Sequence, residues 1–209
     1  MKNSNAEFRR QLRSLFAVLR AIVRRSSVGE SSKSDYVAHL EGRIGALARV
    51  HDMLMRAPDE GIDLEEMVHG ELLAQAAPSH RYRAIGPDTR ISSEAAMPLA
   101  LALHEMAVNA LVHGVLGASQ GDLDVLWDHV DAVGRDRLRL LWQENGVRVP
   151  REAPTVKGFG LELLERTLPY ELDACTRIDW PEPGVRIEIL LPAKGRASFW
   201  RPGDKAMPA

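Results

Sequence analysis

The sequence predicts an α+β protein: an N-terminal helical hairpin that forms a dimeric four-helix bundle, followed by an α/β sandwich. Three observations lead there. Apolar residues recur at the three-four spacing of a helix face through about residues 6–26 and again through 35–55. Beyond Ala57–Gly61, where Pro58 and Gly61 break the second run, short alternating strand patterns are mixed with helical ones. Within that second part lies one very apolar helix, Leu99–Gly114, with His104, Glu105 and Asn109 set into it.

The first helix carries Leu12, Leu15, Phe16, Leu19, Ile22 and Val23 on one face and Arg9, Arg10, Arg13, Arg20, Arg24 and Arg25 on the others. Ser26–Ser34 is rich in Ser and Gly and reads as a loop. The second helix, about Asp35–Met55, has the stripe Val37, Leu40, Ile44, Leu47, His51 and Leu54. Two helices cannot enclose a core, so their stripes call for a second copy and twofold symmetry through residues 6–55. Residues 1–57 are thus the hairpin, Ala57–Gly61 a hinge, 62–195 the sandwich and 196–209 a loose tail despite Phe199 and Trp200.

In the sandwich, Leu64–Ala76 reads as a helix, and Tyr82–Ile85 and Thr89–Ile91 as short strands around Gly86-Pro87. Pro98 is placed at the start of the His104 helix, where its missing N–H costs nothing. Asp122–Asp128 puts Leu123, Val125 and Trp127 on one strand face, and Arg137–Trp142 is a further strand. Gly158–Leu172 is a helix, and Arg177–Trp180 and Val185–Leu191 form a hairpin around 181–184. Helices on one face of a mixed sheet make the sandwich.

Composition narrows the functional classes. A chain of 209 residues holds one ordinary domain and a smaller element, and a net charge of −2 gives no whole-chain argument for nucleic-acid or membrane binding. The single cysteine, Cys175, cannot form an internal disulfide, suits a reducing cytoplasm and is expected as a small buried hydrophobe. No uninterrupted apolar run of about 18 residues predicts a membrane span, and MKNSNAEFRR lacks the apolar core of a signal peptide.

The chemistry gathers in three segments. Glu105 and Asn109 are four residues apart on a helix, so a carboxylate and an amide face the same way. That pair suits Mg²⁺, a hard cation that takes oxygen ligands and is shared with nucleotide phosphates. Lys157–Leu164, KGFGLELL, places Gly158 and Gly160 at a helix N-terminus, where free N–H groups and the helix dipole favour an anion. Leu140–Gly146, LLWQENG, supplies Trp142 and Glu144.

The ordered set H-E-x-x-x-N, W-x-E-x-G and G-F-G-x-x-L resembles the HWE group of bacterial sensor histidine kinases, with His104, Trp142 and Glu144 as the naming residues. The resemblance runs from about Glu7 to Pro192 and includes RIGALARVHDML and GPDTRISSEAAMPLALALHEMAVNALVHG. It implies a dimerisation and phosphotransfer hairpin, an ATP-binding sandwich of the GHKL type, and ATP with Mg²⁺ as cofactors. In that frame Asn109 holds Mg²⁺ and Glu105 orients the phosphoacceptor or takes its proton. Glu144 accepts from the adenine amino group, and Gly146 lets the backbone approach the base. Gly158 and Gly160 shape the phosphate-covering turn. Trp142 is expected to pack in the sheet, and His104 to position Glu105 by hydrogen bonding.

The chain departs from the family pattern in three places. The family's N-A-x-K-Y-G is Asn109-Ala110-Leu111-Val112-His113-Gly114, so His113 replaces only part of a lysine's charge near the phosphates. Val147 and Arg148 follow Gly146 where members show further glycine and proline. The phosphoacceptor His aligns with Arg10, and the family Asn with Ser14. A guanidinium stays protonated and has no lone pair with which to attack phosphorus. His51 sits on the apolar stripe as a packed residue, and His39 is solvated. Three functions stay open: a divergent ATP-binding core that scaffolds or regulates a response-regulator receiver or related kinase; a kinase that phosphorylates a partner His or Ser/Thr; and a dimeric scaffold whose Arg-rich helix binds an acidic partner, nucleic acid being the weaker candidate.

Overall fold

The computed structural model describes residues 32–56, 60–75, 81–132, 134–146, 158–192 and 199–200. The first hairpin helix, with Arg10 and Ser14, lies outside the described residues. In chain order the elements are α1 (Lys33–Arg56), β1 (Ile62–Asp63), α2 (Leu64–Ala74), β2 (Tyr82–Ile85), β3 (Arg90–Ile91), α3 (Ser93–Val112), β4 (Asp122–Asp131) and β5 (Asp136–Asn145). Then follow α4 (Phe159–Glu162), a π-helical turn (Leu163–Thr167), α5 (Leu168–Leu172), β6 (Cys175–Asp179), β7 (Gly184–Pro192) and β8 (Phe199–Trp200).

The chain divides into two compact units, Met1–Gly45 and Ala46–Ala209, and the boundary falls within α1. In the first unit, Ser32 caps α1: its hydroxyl accepts from the Asp35 amide at 3.1 Å and donates to the Asp35 carboxylate at 2.8 Å. Val37 and Ile44, seven residues apart, are 41% and 45% exposed. In the second unit, α1 buries Ala46, Leu47, Val50 and Leu54. His51 is exposed rather than packed. The buried positions 47, 50 and 54 form one stripe, and residue 51 lies about 100° past residue 50 around the helix.

The second unit is built on a five-stranded sheet of order β2-β4-β5-β7-β6, with β2 parallel to β4 and the other pairs antiparallel. β4 and β5 pair along their whole length, from Asp122↔Asn145 to Asp131↔Asp136. Alternation sorts their faces. Leu123, Val125 and Trp127, Leu138, Leu140 and Trp142, and Ile187, Ile189 and Leu191 are buried, while charged partners such as Arg139 and Asp128 pair on the other face at 2.7–2.8 Å.

Helix α3 is the core helix of this unit. It begins at Ser93, capped by Ser92, whose hydroxyl accepts from the Ala95 amide. Pro98 therefore lies inside the helix rather than at its start. The Ser92-Ser93-Glu94 signal moves the boundary: a Ser cap opens the helix several residues before the apolar run begins. Ser93–Val112 is long and apolar enough to cross a membrane, and most of it is buried inside the fold, as a soluble core helix would be.

The helix predicted over Gly158–Leu172 forms with a π turn at its centre, and Pro169 is the physical reason. Proline has no N–H and its ring crowds the carbonyl four residues back, so the α pattern cannot continue. The Leu168 amide bonds Leu163 O, five residues back. The Leu164 carbonyl is then without an amide donor, and the Thr176 hydroxyl supplies one at 2.8 Å.

Two expectations for the C-terminal part are corrected. Phe199 and Trp200 are not a loose tail: they pair antiparallel with β3, completing a three-stranded sheet of order β1-β3-β8. Phe199 is buried and its ring stacks on His129 with centroids 5.0 Å apart, while His129 Nε2 lies 3.0 Å from the Thr89 hydroxyl. Cys175 is exposed, at the start of the edge strand β6, and not a core residue.

Replacing Thr176 by Val leaves the Leu164 carbonyl without its donor. A loss of about 1–3 kcal/mol is expected, read as a lower urea midpoint with an unchanged slope.

Candidate functional site

The site is built around the C-terminal half of α3. Glu105 is 8% exposed, while Asn109, one turn on, is exposed. They share a face, and the first turn of α4 packs against it. A Cβ added to Gly160 would lie 3.0 Å from Glu105 Cβ, 3.2 Å from its Oε2 and 3.5 Å from Asn109 Nδ2. A side chain here would press on Glu105 and force it to shift by a few tenths of an ångström. Gly158 caps α4 in ordinary extended geometry, offers no side-chain acceptor, and would meet nothing within 4 Å if it carried a Cβ. The carboxylate, the amide and an uncapped helix start thus face one another. Among the described residues no three His, Cys, Asp or Glu side chains converge, so a divalent ion here needs further oxygens from its ligand.

His104 is buried, and its ring reaches α2. Neighbouring helix positions point about 100° apart, and the His104 Nδ1 lies 2.7 Å from Glu71 Oε1 on α2 and 3.3 Å from Gln75 Nε2. Arg49 of α1 donates to the other Glu71 oxygen at 2.6 Å. Burial raises the Glu71 carboxyl pKa, and the bonds and charges of His104 and Arg49 more than offset it, leaving it below its ordinary value.

Glu144 occupies the last inward slot of β5, after Leu138, Leu140 and Trp142, and is 4% exposed. Strand residues two apart share a face, so the Trp142 indole N–H donates to Glu144 Oε1 at 3.2 Å, and the Val115 amide donates to Oε2 at 3.0 Å. Trp142 does pack in the sheet as expected, and it also orients this carboxylate. A Cβ on Gly114 would overlap Glu144 Oε2. Burial pushes the Glu144 carboxyl pKa up, against the two N–H donors that lower it. Gly146 follows with φ +87°, donates its amide to Pro183 O at 3.0 Å, and would bring a Cβ within 3.0 Å of Gly121 Cα. His113 is exposed at the C-cap of α3, its amide bonded to Asn109 O at 2.8 Å.

The structure therefore brings Glu105, Asn109 and Gly160 together and sets Glu144 against Gly114, just past the end of the same helix. Gly114, Val115 and Glu71 belong to these arrangements and were not singled out from sequence. The HG step after the Asn-bearing helix was a usable signal for Gly114; nothing local marked Glu71.

An apolar helix with a carboxylate and an amide thus lies on a mixed sheet beside a glycine-opened helix start. The histidine kinase domain of the blue-light-activated kinase EL346 from Erythrobacter litoralis superimposes with a TM-score of 0.61 at 18% identity, covering 91% of this chain and 94% of that one. The longer structure of that kinase gives 0.60 at 19% identity, covering 88% and 62%. Residues 7–88 match the family described as HWE histidine kinase. Blue-light-activated histidine kinases of Rhizobium johnstonii and Brucella anthropi are each 32% identical to this chain, over 88% and 72% of its length. The chain belongs to the HWE histidine kinase family, and it spans 51% and 30% of the length of those two relatives.

Opposite pH signatures are expected from the two buried carboxylates. The lowered Glu71 pKa means that the unfolded chain takes up this proton first as the solution is acidified. Its stabilisation is present above the ordinary glutamate value of 4.5 and is lost as pH falls through the lowered one. Glu71→Gln should flatten that acid limb in thermal melts, and Glu71→Ala should cost about 3–5 kcal/mol by stranding Arg49 and His104. Glu144 has the reverse sign: its contribution falls as pH rises from the ordinary value through the raised one. Glu144→Gln should remove that fall.

Proposed function

We propose that this chain is an ATP-binding histidine-kinase core of a bacterial two-component pathway that does not phosphorylate itself at the usual position. The observation that supports this most is the convergence of Glu105, Asn109 and Gly160 at one end of a helix whose other neighbour is the buried Glu144. The residues fit the cofactor by their chemistry. Asn109 would ligate Mg²⁺, and Glu105 would orient an acceptor or hold its proton. Glu144 would accept from the adenine amino group through a lone pair its two protein donors leave free. Gly146, Gly158, Gly160 and His113 would border the base and the phosphates. ATP supplies the transferable phosphoryl group, and Mg²⁺ neutralises its charge.

Arg10 stands where the acceptor His belongs and has no nucleophilic lone pair. The exposed Val37 and Ile44 on α1 support a hairpin that pairs with a second copy through residues 6–55. In this proposal residues 1–57 form that hairpin and 62–195 the ATP-binding domain, with a response-regulator receiver or related kinase as partner in the cytoplasm. A second function, transfer to a partner His or Ser/Thr, is favoured by the placement of Glu105 beside Gly160.

Incubation with γ-labelled ATP and Mg²⁺, with and without candidate receivers, separates the alternatives. Saturable nucleotide binding without label supports the divergent core. Acid-labile label on a partner indicates phosphohistidine, and acid-stable label Ser/Thr transfer. No nucleotide binding would overturn the proposal. Asn109→Ala should weaken Mg-ATP binding by about tenfold or more at unchanged melting temperature, measured by calorimetric titration. Arg10→His with Ser14→Asn should restore acid-labile autophosphorylation.

A further inference from the structure

The segment that follows α3 is closed by one side chain from a distant part of the chain. Arg81, immediately before β2, donates through Nη2 to Val115 O at 2.8 Å and to Ala118 O at 3.2 Å, and through Nη1 to Ser119 O at 3.2 Å. Its Nε is buried without a partner among the described residues, so its hold rests on these three carbonyls. The same segment is tied to α3 by the Leu116 and Gly117 amides, both of which donate to Ala110 O. Val115, fully buried, is gripped on both sides: its carbonyl by Arg81 and its amide by Glu144.

We infer that Arg81 is a positioning residue for base selectivity, because it pins the loop that presents the Val115 amide to Glu144. The inference rests on the proposed role of Glu144 toward the adenine amino group. An ionised carboxylate only accepts hydrogen bonds: it favours a purine amino group and repels a purine carbonyl at the same place. Which of its lone pairs remain available is set by where the Trp142 and Val115 donors hold it. Without Arg81 the segment keeps its amide bonds to Ala110 O but loses the grip on the Val115 carbonyl, so the Val115 amide is held less firmly against Glu144. The carboxylate is then less tightly oriented, and the donor that favours its charged form is weakened. Affinity for the amino-bearing base falls, while discrimination against the carbonyl-bearing base relaxes. A planar guanidinium can serve three carbonyls at once, which a lysine ammonium on a flexible stem does less well.

The test compares dissociation constants of nonhydrolysable ATP and GTP analogues, with Mg²⁺, for the full chain and for Arg81→Gln, Arg81→Lys and Glu144→Gln. Arg81→Gln is expected to weaken the ATP analogue by about tenfold with little change for the GTP analogue, so the ratio narrows; Arg81→Lys should fall between. Equal weakening of both analogues, or an unchanged ratio in Arg81→Gln while Glu144→Gln collapses it, would overturn the inference and leave the nucleotide proposal standing. An unchanged ratio in Glu144→Gln would instead overturn the role given to Glu144, and the inference with it. Should Arg81→Gln fail to fold, Arg81→Lys carries the same comparison.

Discussion

Three carboxylates lie less than 10% exposed against or beside a helix made mostly of alanine, leucine and methionine, and the second unit depends on holding all of them. An unpaired buried charge costs several kcal/mol, so each must have its own arrangement. Glu71 is held by a cation and an imidazole, Glu144 by a strand neighbour and a loop amide, and Glu105 lies against the glycine-opened start of α4. These arrangements fix the rotation of α3. A slip of one residue would turn the helix by about 100° and unpair His104 from Glu71. The opposite pKa shifts of Glu71 and Glu144 reflect a different balance: at Glu71 the bonds and charges of His104 and Arg49 together outweigh burial, and at Glu144 burial outweighs its two donors.

The C-terminal part of α1 takes part in the same arrangement. From Ala46 onward it adds Ala46, Leu47, Val50 and Leu54 to the buried apolar set and places Arg49 on Glu71. An electrostatic path therefore runs from α1 through α2 to α3, ending at the residue before Glu105. Low dielectric strengthens such a path and raises the penalty for leaving any member unpaired.

Much of this was legible in the sequence because it is periodic. Leu123, Val125 and Trp127 alternate, and they form an inward strand face. Glu105 and Asn109 are one turn apart, and both lie against Gly160. What escaped was non-local or cooperative. The carboxylate that His104 bonds, Glu71, is 33 positions away, and nothing local announces it. Phe199 and Trp200 pair with a strand of two residues, too short to show a pattern. The π turn depends on Pro169 and Thr176 together, and neither alone announces it. The Ser92 cap is readable, but it stands seven residues before the apolar run that begins at Leu99. Arg81 has no sequence signature at all, since its three acceptors are backbone atoms.

The small sheet has a consequence for how the sandwich holds together. β1 and β8 come from opposite ends of the sequence of this unit, and both border β3. They therefore lie two strand spacings apart, roughly 10 Å. A clasp of this kind joins segments more than a hundred residues apart, so opening it at either strand loosens both at once.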